Sequence, residues 1–283
     1  RRPIGVAALI TACNFPLAVP SWRLIPALLC GNTVVWKPSE EAPTVAYAFG
    51  QLLEEAGVPK GVVNIVHGPS SVGQTLVNQV DKGWIQKVSF TGSTAVGRKI
   101  GEICGRNLII PSLELGGKNP LVVMEDADLD LAVMGALWAT YGTAGQRCTS
   151  AGNIILHKKI AGAFKMHFLD EVKKLKIGDP SLTRDVSYGP MICKRFKDNF
   201  LHHYEWAQAE GAELLYGKGN ITRENHPKNF VGDPDFGHYV WPVIWDKVKI
   251  EMKLAQTEIF GPTISLIEVK DFEEAIAVAN GTP

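Results

Sequence analysis

Cys148 is the residue in this sequence best suited to covalent chemistry, and it lies in Gly142-Thr143-Ala144-Gly145-Gln146-Arg147-Cys148-Thr149-Ser150. A thiolate attacks carbonyl carbon, and the adjacent Arg147 favours the anion if its charge points inward. The small residues ahead of the cysteine are expected to let a substrate approach the sulfur closely. Taken alone, a single cysteine is more often a small core filler. Glu114, in Leu113-Glu114-Leu115-Gly116-Gly117-Lys118, is a carboxylate among apolar residues. It is expected to be partly desolvated and so tuned toward a general base, unless it is an exposed glutamate at a strand end. Asn14, in Thr11-Ala12-Cys13-Asn14-Phe15-Pro16, carries an amide that can donate to an oxyanion, or it serves as a turn residue ahead of Pro16.

Two further segments suit a nucleotide. In Lys37-Pro38-Ser39-Glu40 a Lys and a Glu could hold ribose hydroxyls, or the segment is a solvated turn with Ser39 as a cap. Phe90-Thr91-Gly92-Ser93-Thr94 offers hydroxyls and free amides at a helix N-terminus, where the dipole favours phosphate. Any helix also favours a Ser or Thr there. No G-x-G-x-x-G follows a predicted strand, so the common dinucleotide fingerprint is absent.

The elements that must carry these residues alternate between short β-branched runs and amphipathic stretches, the pattern of a parallel sheet covered by helices. Strands are predicted over 5–10, 33–37, 62–66 and 87–90. Helices are predicted over 21–30, 44–56 with Thr44 as cap and Gly57 just beyond, from Ser71 onward, and after the turn Thr91-Gly92-Ser93 to about Gly105. A second cycle gives strand 120–124, helix 129–141, a Gly/Ala-rich loop through Cys148, strand 153–157 and helix 163–175. The Gly116-Gly117 pair is expected to be the hinge between two α/β units, and residues 217–237 a surface loop.

The chain has 283 residues with 29 basic and 29 acidic side chains, is 46% hydrophobic and 20% charged. That is the composition of a globule with ample core rather than of a disordered chain. Balanced charge gives polyanions no basic face, so no nucleic-acid partner is expected. No apolar run reaches the roughly 18 residues of a membrane-spanning helix, so no membrane partner is expected either. Cys13, Cys30, Cys104, Cys148 and Cys193 are far apart and odd in number, which fits free thiols in a reducing compartment. Seven histidines lack H-E-x-x-H spacing, so no metal is expected. Arg1 in place of Met and the turn signal Gly281-Thr282-Pro283 read as an internal piece of a longer protein, with the question of an upstream targeting signal left open.

In this order, six segments resemble the aldehyde dehydrogenase superfamily: Asn14-Phe15-Pro16, the run from Gly31-Asn32 to Ser39-Glu40, Phe90-Thr91-Gly92-Ser93-Thr94, Glu114-Leu115-Gly116-Gly117-Lys118, Gly145-Gln146-Arg147-Cys148 and Glu258-Ile259-Phe260-Gly261-Pro262. The resemblance implies an α/β fold with two Rossmann-like parallel-sheet domains, helices on both faces. Residues 1–116 would be the NAD-binding domain and 117–283 the catalytic domain, each partial. It implies Cys148 as nucleophile, Glu114 as the base that activates water, and Asn14 as oxyanion donor beside the Cys148 N–H. The cofactor set carried over is Thr11, Lys37, Ser39, Glu40, Gly73, Phe90, Gly92, Ser93, Leu115, Glu258 and Phe260. The cofactor expected is NAD rather than NADP, because Glu40 on a ribose 2′-hydroxyl would repel a 2′-phosphate. A cytoplasmic homo-oligomer, dimer or tetramer, is the assembly such a family implies.

Two departures stand out. Arg23 occupies a position where many members have lysine, which puts a proton relay assigned to that lysine in question. Cys13 stands where an aromatic residue is common. Arg147 is a candidate clamp for a distal carboxylate, which points to a semialdehyde acid, or else a structural partner for a neighbouring carboxylate. Its surroundings resemble the α-aminoadipic semialdehyde (antiquitin) branch. A CoA-acylating methylmalonate-semialdehyde type shares Gln146-Arg147-Cys148 but lacks the base, so Glu114 argues for hydrolysis. The remaining alternative is a catalytically silent dinucleotide-binding or structural protein on the same scaffold.

Overall fold

A computed structural model of the chain describes residues 2–282, so Arg1 and the last residue of the Gly281-Thr282-Pro283 turn signal lie outside the described residues. The chain separates into two compact units, Arg1–Gly116 and Gly117–Pro283.

The first unit runs β1 (Val6–Ile10), α1 (Ala18–Leu29), β2 (Thr33–Lys37), α2 (Pro43–Glu55), β3 (Val63–Ile65), α3 (Ser70–Asn78), β4 (Lys87–Gly92), α4 (Thr94–Arg106) and β5 (Ser112–Leu115). Its five strands are all parallel in the order β3-β2-β1-β4-β5. Side chains of β1 alternate between two cores. Ala8 and Ile10 join Val77, Val88, Phe90 and Ile100 on one face, while Leu9 joins Leu24, Val34, Trp36 and Leu53 on the other. Both faces are therefore covered, as an all-parallel sheet requires. The order reverses beside β1, whose neighbours are β2 and β4. A crevice opens at the carboxyl ends of the strands at such a point.

Three boundaries differ from the sequence expectation. Helix α1 starts at Ala18, not Ser21, because Pro20 falls in its first turn, where no intrahelical N–H bond is lost. Thr44 does not cap α2; Ala42 takes the N-cap position with Pro43 first in the helix, where a fixed φ is already helical. Thr91 and Gly92, expected as a turn, continue β4 and pair with Glu114 and Leu115 of β5.

The second unit runs β6 (Asn119–Val123), α5 (Leu129–Tyr141), β7 (Ala151–His157), α6 (Lys158–Lys174), α7 (Lys194–Ala209), β8 (Glu213–Tyr216), β9 (Val243–Asp246), α8 (Lys253–Gln256), β10 (Thr263–Val269) and α9 (Phe272–Ala279). Its sheet order is β6-β7-β10-β9-β8. All pairs are parallel except β8 with β9, so this sheet has one antiparallel edge where a wholly parallel one was expected. Interior strand β7 is buried almost throughout, and Phe164, Phe168, Phe200 and Trp245 fill the main core. Helix α6 begins at Lys158 because His157 turns its ring onto the Lys159 N–H. Residues 217–237 hold β-bridges and one short 3₁₀ turn at Pro234–Phe236 but no helix or strand beyond these.

Candidate functional site

In the first unit the carried-over residues gather at the carboxyl ends of the strands. Thr11 follows β1 and is buried; its hydroxyl accepts from the Trp36 indole at 3.0 Å, and its N–H donates to the Lys37 carbonyl. Lys37 ends β2 with its stem buried, and its Nζ donates to Glu40 Oε2 at 2.8 Å. Ser39 accepts from the Glu41 N–H at 3.2 Å, so it holds a turn rather than a helix end. Buried Gly73 of α3 lies against the Lys37 stem and Ile10. The Phe90 ring sits where a Gly92 side chain would be, 2.5 Å from an ideal Cβ, so only glycine fits there. Ser93 precedes α4 with an extended backbone and an exposed side chain, and makes no capping bond. The first N–H groups of a 13-residue helix are thus not taken by the side chain before them. Leu115 ends β5 and packs with the α4-side core. The Lys37–Glu40 pair offers a donor and an acceptor for ribose hydroxyls, and the uncapped start of α4 leaves N–H groups that suit phosphate.

Asn14 stands three residues beyond Thr11 in the bend between β1 and α1, half-buried. Glu114 corrects an expectation. Its neighbours Leu113 and Leu115 face the core, so by alternation Glu114 leaves that face. Its side chain is 57% exposed and accepts from the Arg23 guanidinium of α1. Partial desolvation is therefore not what distinguishes it. A guanidinium keeps its proton, so Arg23 supplies charge and orientation but cannot relay protons.

In the second unit Cys148 is exposed, whereas Cys13 and Cys104 are buried. It sits in a turn that follows a strained entry: Thr143, Ala144 and Gly145 have φ of 54°, 56° and 64°, a left-handed run that non-glycine residues rarely adopt. Two of the small residues ahead of the sulfur are held small by close neighbours. A Cβ on Gly145 would lie 2.2 Å from the Gly261 carbonyl oxygen, and one on Gly142 would lie 3.0 Å from Arg147 Nη2. Their smallness serves packing.

Several contacts fix the turn. The Ser150 N–H donates to the Arg147 carbonyl at 3.1 Å. Gln146 accepts from the Ile192 N–H and donates to the Pro190 carbonyl. Arg147 Nη2 donates to the carbonyls of Trp138 at 2.6 Å and Ala139 at 3.2 Å, with the guanidinium stacked 4.9 Å from the Trp138 ring. Among the described residues it pairs with no carboxylate, which corrects that alternative.

Glu258 and Phe260 line a small cavity of about 20 Å³ together with Lys118, Gly145, Arg147 and Ser150. Burial raises the Glu258 carboxyl above its usual range, against the Gly117 N–H and the charge of Lys118. Burial pushes Lys118 down to about 7, partly offset by Glu258. Neither Lys118 nor Asn119, whose amide reaches the carbonyls of Cys148 and Ser150, stood out in the sequence. Lys118 closes one of the six motifs but has no role assigned there, and the partners of both lie some 30 to 140 positions away. Among the described residues no group of three or more His, Cys, Asp or Glu could hold a metal ion, and no helix is long and apolar enough to cross a membrane.

Residues 1–283 match the sequence profile described as the aldehyde dehydrogenase family. The chain is 42% identical over 281 residues to the alpha-ketoglutaric semialdehyde dehydrogenase of Bacillus subtilis, covering 99% of this chain and 55% of that protein. It is 41% identical over 284 residues to the 2,5-dioxopentanoate dehydrogenase of Saccharolobus solfataricus, covering 99% and 56%. Among solved structures, the betaine aldehyde dehydrogenase of Staphylococcus aureus in complex with NAD+ superimposes with a TM-score of 0.92 at 34% identity, over 99% of this chain and 53% of that one. The chain thus spans a little over half the length of these relatives. A match along the whole chain, relatives above 40% identity and a shared fold converge on one assignment: the chain belongs to the aldehyde dehydrogenase family.

Proposed function

We propose that the protein oxidises a carboxylated semialdehyde to the corresponding acid with NAD, through a thioester on Cys148. The observation that carries this reading is the exposed Cys148 thiol on a turn fixed by hydrogen bonds, in a chain of this family. In the reading, residues 1–116 bind the cofactor and residues 117–283 carry the nucleophile. The preference for NAD rests on the Lys37–Glu40 pair, whose carboxylate suits a free ribose 2′-hydroxyl and repels a 2′-phosphate, and on the NAD+ bound in the related Staphylococcus structure. Bound nicotinamide supplies the hydride acceptor.

The thiolate of Cys148 adds to the aldehyde carbon, and the carbonyl electron pair moves onto oxygen. Asn14 and the Cys148 N–H donate to that alkoxide. Losing one such donor costs about 10²–10³ in rate. The alkoxide collapses with departure of hydride from the same carbon, leaving a thioester on Cys148. Glu114 takes a proton from water, the resulting hydroxide attacks the thioester, and the acid leaves as Cys148 regains its thiolate. Arg23 holds the Glu114 carboxylate through this step without exchanging its own proton.

The substrate class is supported by two relatives named for a ketoglutaric semialdehyde and a dioxopentanoate, each an aldehyde with a carboxylate. A short dioxo acid fits those names better than α-aminoadipic semialdehyde, which only the local resemblance around Arg147 suggested. Cys148→Ser in the full-length protein is expected to abolish oxidation while NAD still binds. Turnover by that variant would overturn the thioester reading, and a panel of neutral and carboxylated aldehydes oxidised at equal kcat/KM would overturn the substrate class.

A further inference from the structure

Asn119 opens β6 at an irregular place. It pairs with Ala151, but the next residue, Pro120, pairs with Asn153, so Gly152 of β7 is skipped. Pro120 has no N–H to give a ladder, which makes the interruption inexpensive. An extra residue on one strand kinks the pair and re-aims the neighbouring side chains. Gly152 takes the extra position because the Lys118 stem runs through the space a side chain would need, 2.4 Å from an ideal Cβ.

The re-aimed side chain is that of Asn119. Its Nδ2 donates to the Cys148 carbonyl at 2.7 Å and to the Ser150 carbonyl at 2.8 Å. The peptide plane after Cys148 is therefore held by Asn119. The plane before it, which carries the Cys148 N–H, is held by the bond from the Ser150 N–H to the Arg147 carbonyl. Gln146 and Arg147 anchor the same loop to Pro190, Ile192, Trp138 and Ala139. None of those bonds touches a peptide group of Cys148.

We propose that Asn119 is a positioning residue for the nucleophile: by holding the carbonyls of Cys148 and Ser150 it fixes the peptide group after Cys148 and with it the direction of the sulfur. The proposal rests on the Cys148 reading above. Two acceptors side by side call for one planar group with two hydrogens, which Asn provides; Ser has one and a carboxylate none. Misplacing a reacting group by about 1 Å costs on the order of 10²-fold.

The test uses the full-length protein with Asn119→Ala, Asn119→Ser and Asn119→Asp. It reads kcat, KM for aldehyde and NAD, and the pH dependence of Cys148 alkylation by iodoacetamide, with Cys148→Ser as the blank for the other thiols. Asn119→Ala is expected to lower kcat by on the order of 10–100-fold, to shift the alkylation profile and to leave NAD binding unchanged. Asn119→Ser should recover part of the loss, and Asn119→Asp, with a carboxylate facing two carbonyls, should fall lowest. Wild-type kcat and alkylation in Asn119→Ala would overturn the proposal. Should that variant fail to fold, a folded Asn119→Ser with wild-type kcat and alkylation overturns it equally, and a partial loss supports it. An active Cys148→Ser would instead remove the parent reading, so the two failures are distinguishable.

Discussion

The guanidinium of Arg147 meets the last carbonyls of α5, where a cation opposes the negative end of the helix dipole. Burial lowers its pKa from the usual guanidinium value, with the Cys148 side chain acting in the opposite sense. Its Nε is buried with no partner. The side chain therefore already has structural employment, and any hold on a substrate carboxylate must come from the nitrogens not aimed at the helix. The two roles separate experimentally. Arg147→Ala is expected to lower stability in urea by about 1.5–3 kcal/mol, the range for hydrogen bonds to a charged group. Arg147→Lys should restore part of that, since an ammonium can reach a carbonyl but cannot stack on Trp138 as a plane. A substrate clamp would add a rise in KM for carboxylated semialdehydes that neutral aldehydes do not show; equal KM changes for both would leave only the helix-capping role.

At the scale of elements, the connection from α5 to β7 determines where Cys148, the proposed nucleophile, stands. Three successive left-handed residues and the backbone contact of Gly145 with Gly261 turn the chain sharply before Gln146. A left-handed conformation costs a non-glycine residue roughly 1–2 kcal/mol, and at Gly145 a methyl group would also meet backbone that cannot swing away. Gly145→Ala is expected to destabilise the protein by at least about 2 kcal/mol and to lower kcat through the displaced turn. Unchanged melting and unchanged kcat would show that the Gly261 contact yields easily. This loop also marks the limit of what the sequence discloses. The strands β1, β2 and β4 and the helix α5 were legible because hydrophobic period, Gly and Pro punctuation and length agree there. The six ordered motifs pointed to Cys148, Glu114 and Asn14 as candidates. What was not legible depends on partners distant in sequence: Thr91 and Gly92 become strand because β5 pairs with them, and Glu114 is exposed because strand alternation turns it toward Arg23. The glycines before Cys148 are small for the sake of Gly261 and Arg147. Asn119 acquires its partners through a bulge that only pairing with β7 creates.

For the whole molecule, the buried titratable groups give stability a defined dependence on pH. His203 is fully buried, hydrogen-bonded to the Phe200 carbonyl and facing the Thr263 hydroxyl at 3.3 Å. Burial pushes its pKa down to about 4, with the Phe200 carbonyl opposing and Lys118 adding to the fall. Lys118, 6% exposed, is pushed down to about 7. For both groups the folded pKa lies below the unfolded one, so the unfolded chain binds more protons across the interval and stability rises with pH. The windows are about 4 to 6.5 for His203 and about 7 to 10.5 for Lys118. Tyr141 and Tyr188 act in the reverse sense. Burial raises both well above the usual phenol value, so the stability they contribute is complete below about 10 and is lost as pH rises further. Stability is therefore expected to climb from pH 5 to about pH 10, at up to about 1.4 kcal/mol per pH unit within a window, and then to fall. Lys118→Met fills the same space with an uncharged chain and removes the desolvated ammonium. In that variant the rise between pH 7 and 9 should flatten while the rise between pH 5 and 6.5 remains. Thermal melts at fixed ionic strength check this, and a rise above pH 7 that persists in Lys118→Met would assign it to other groups.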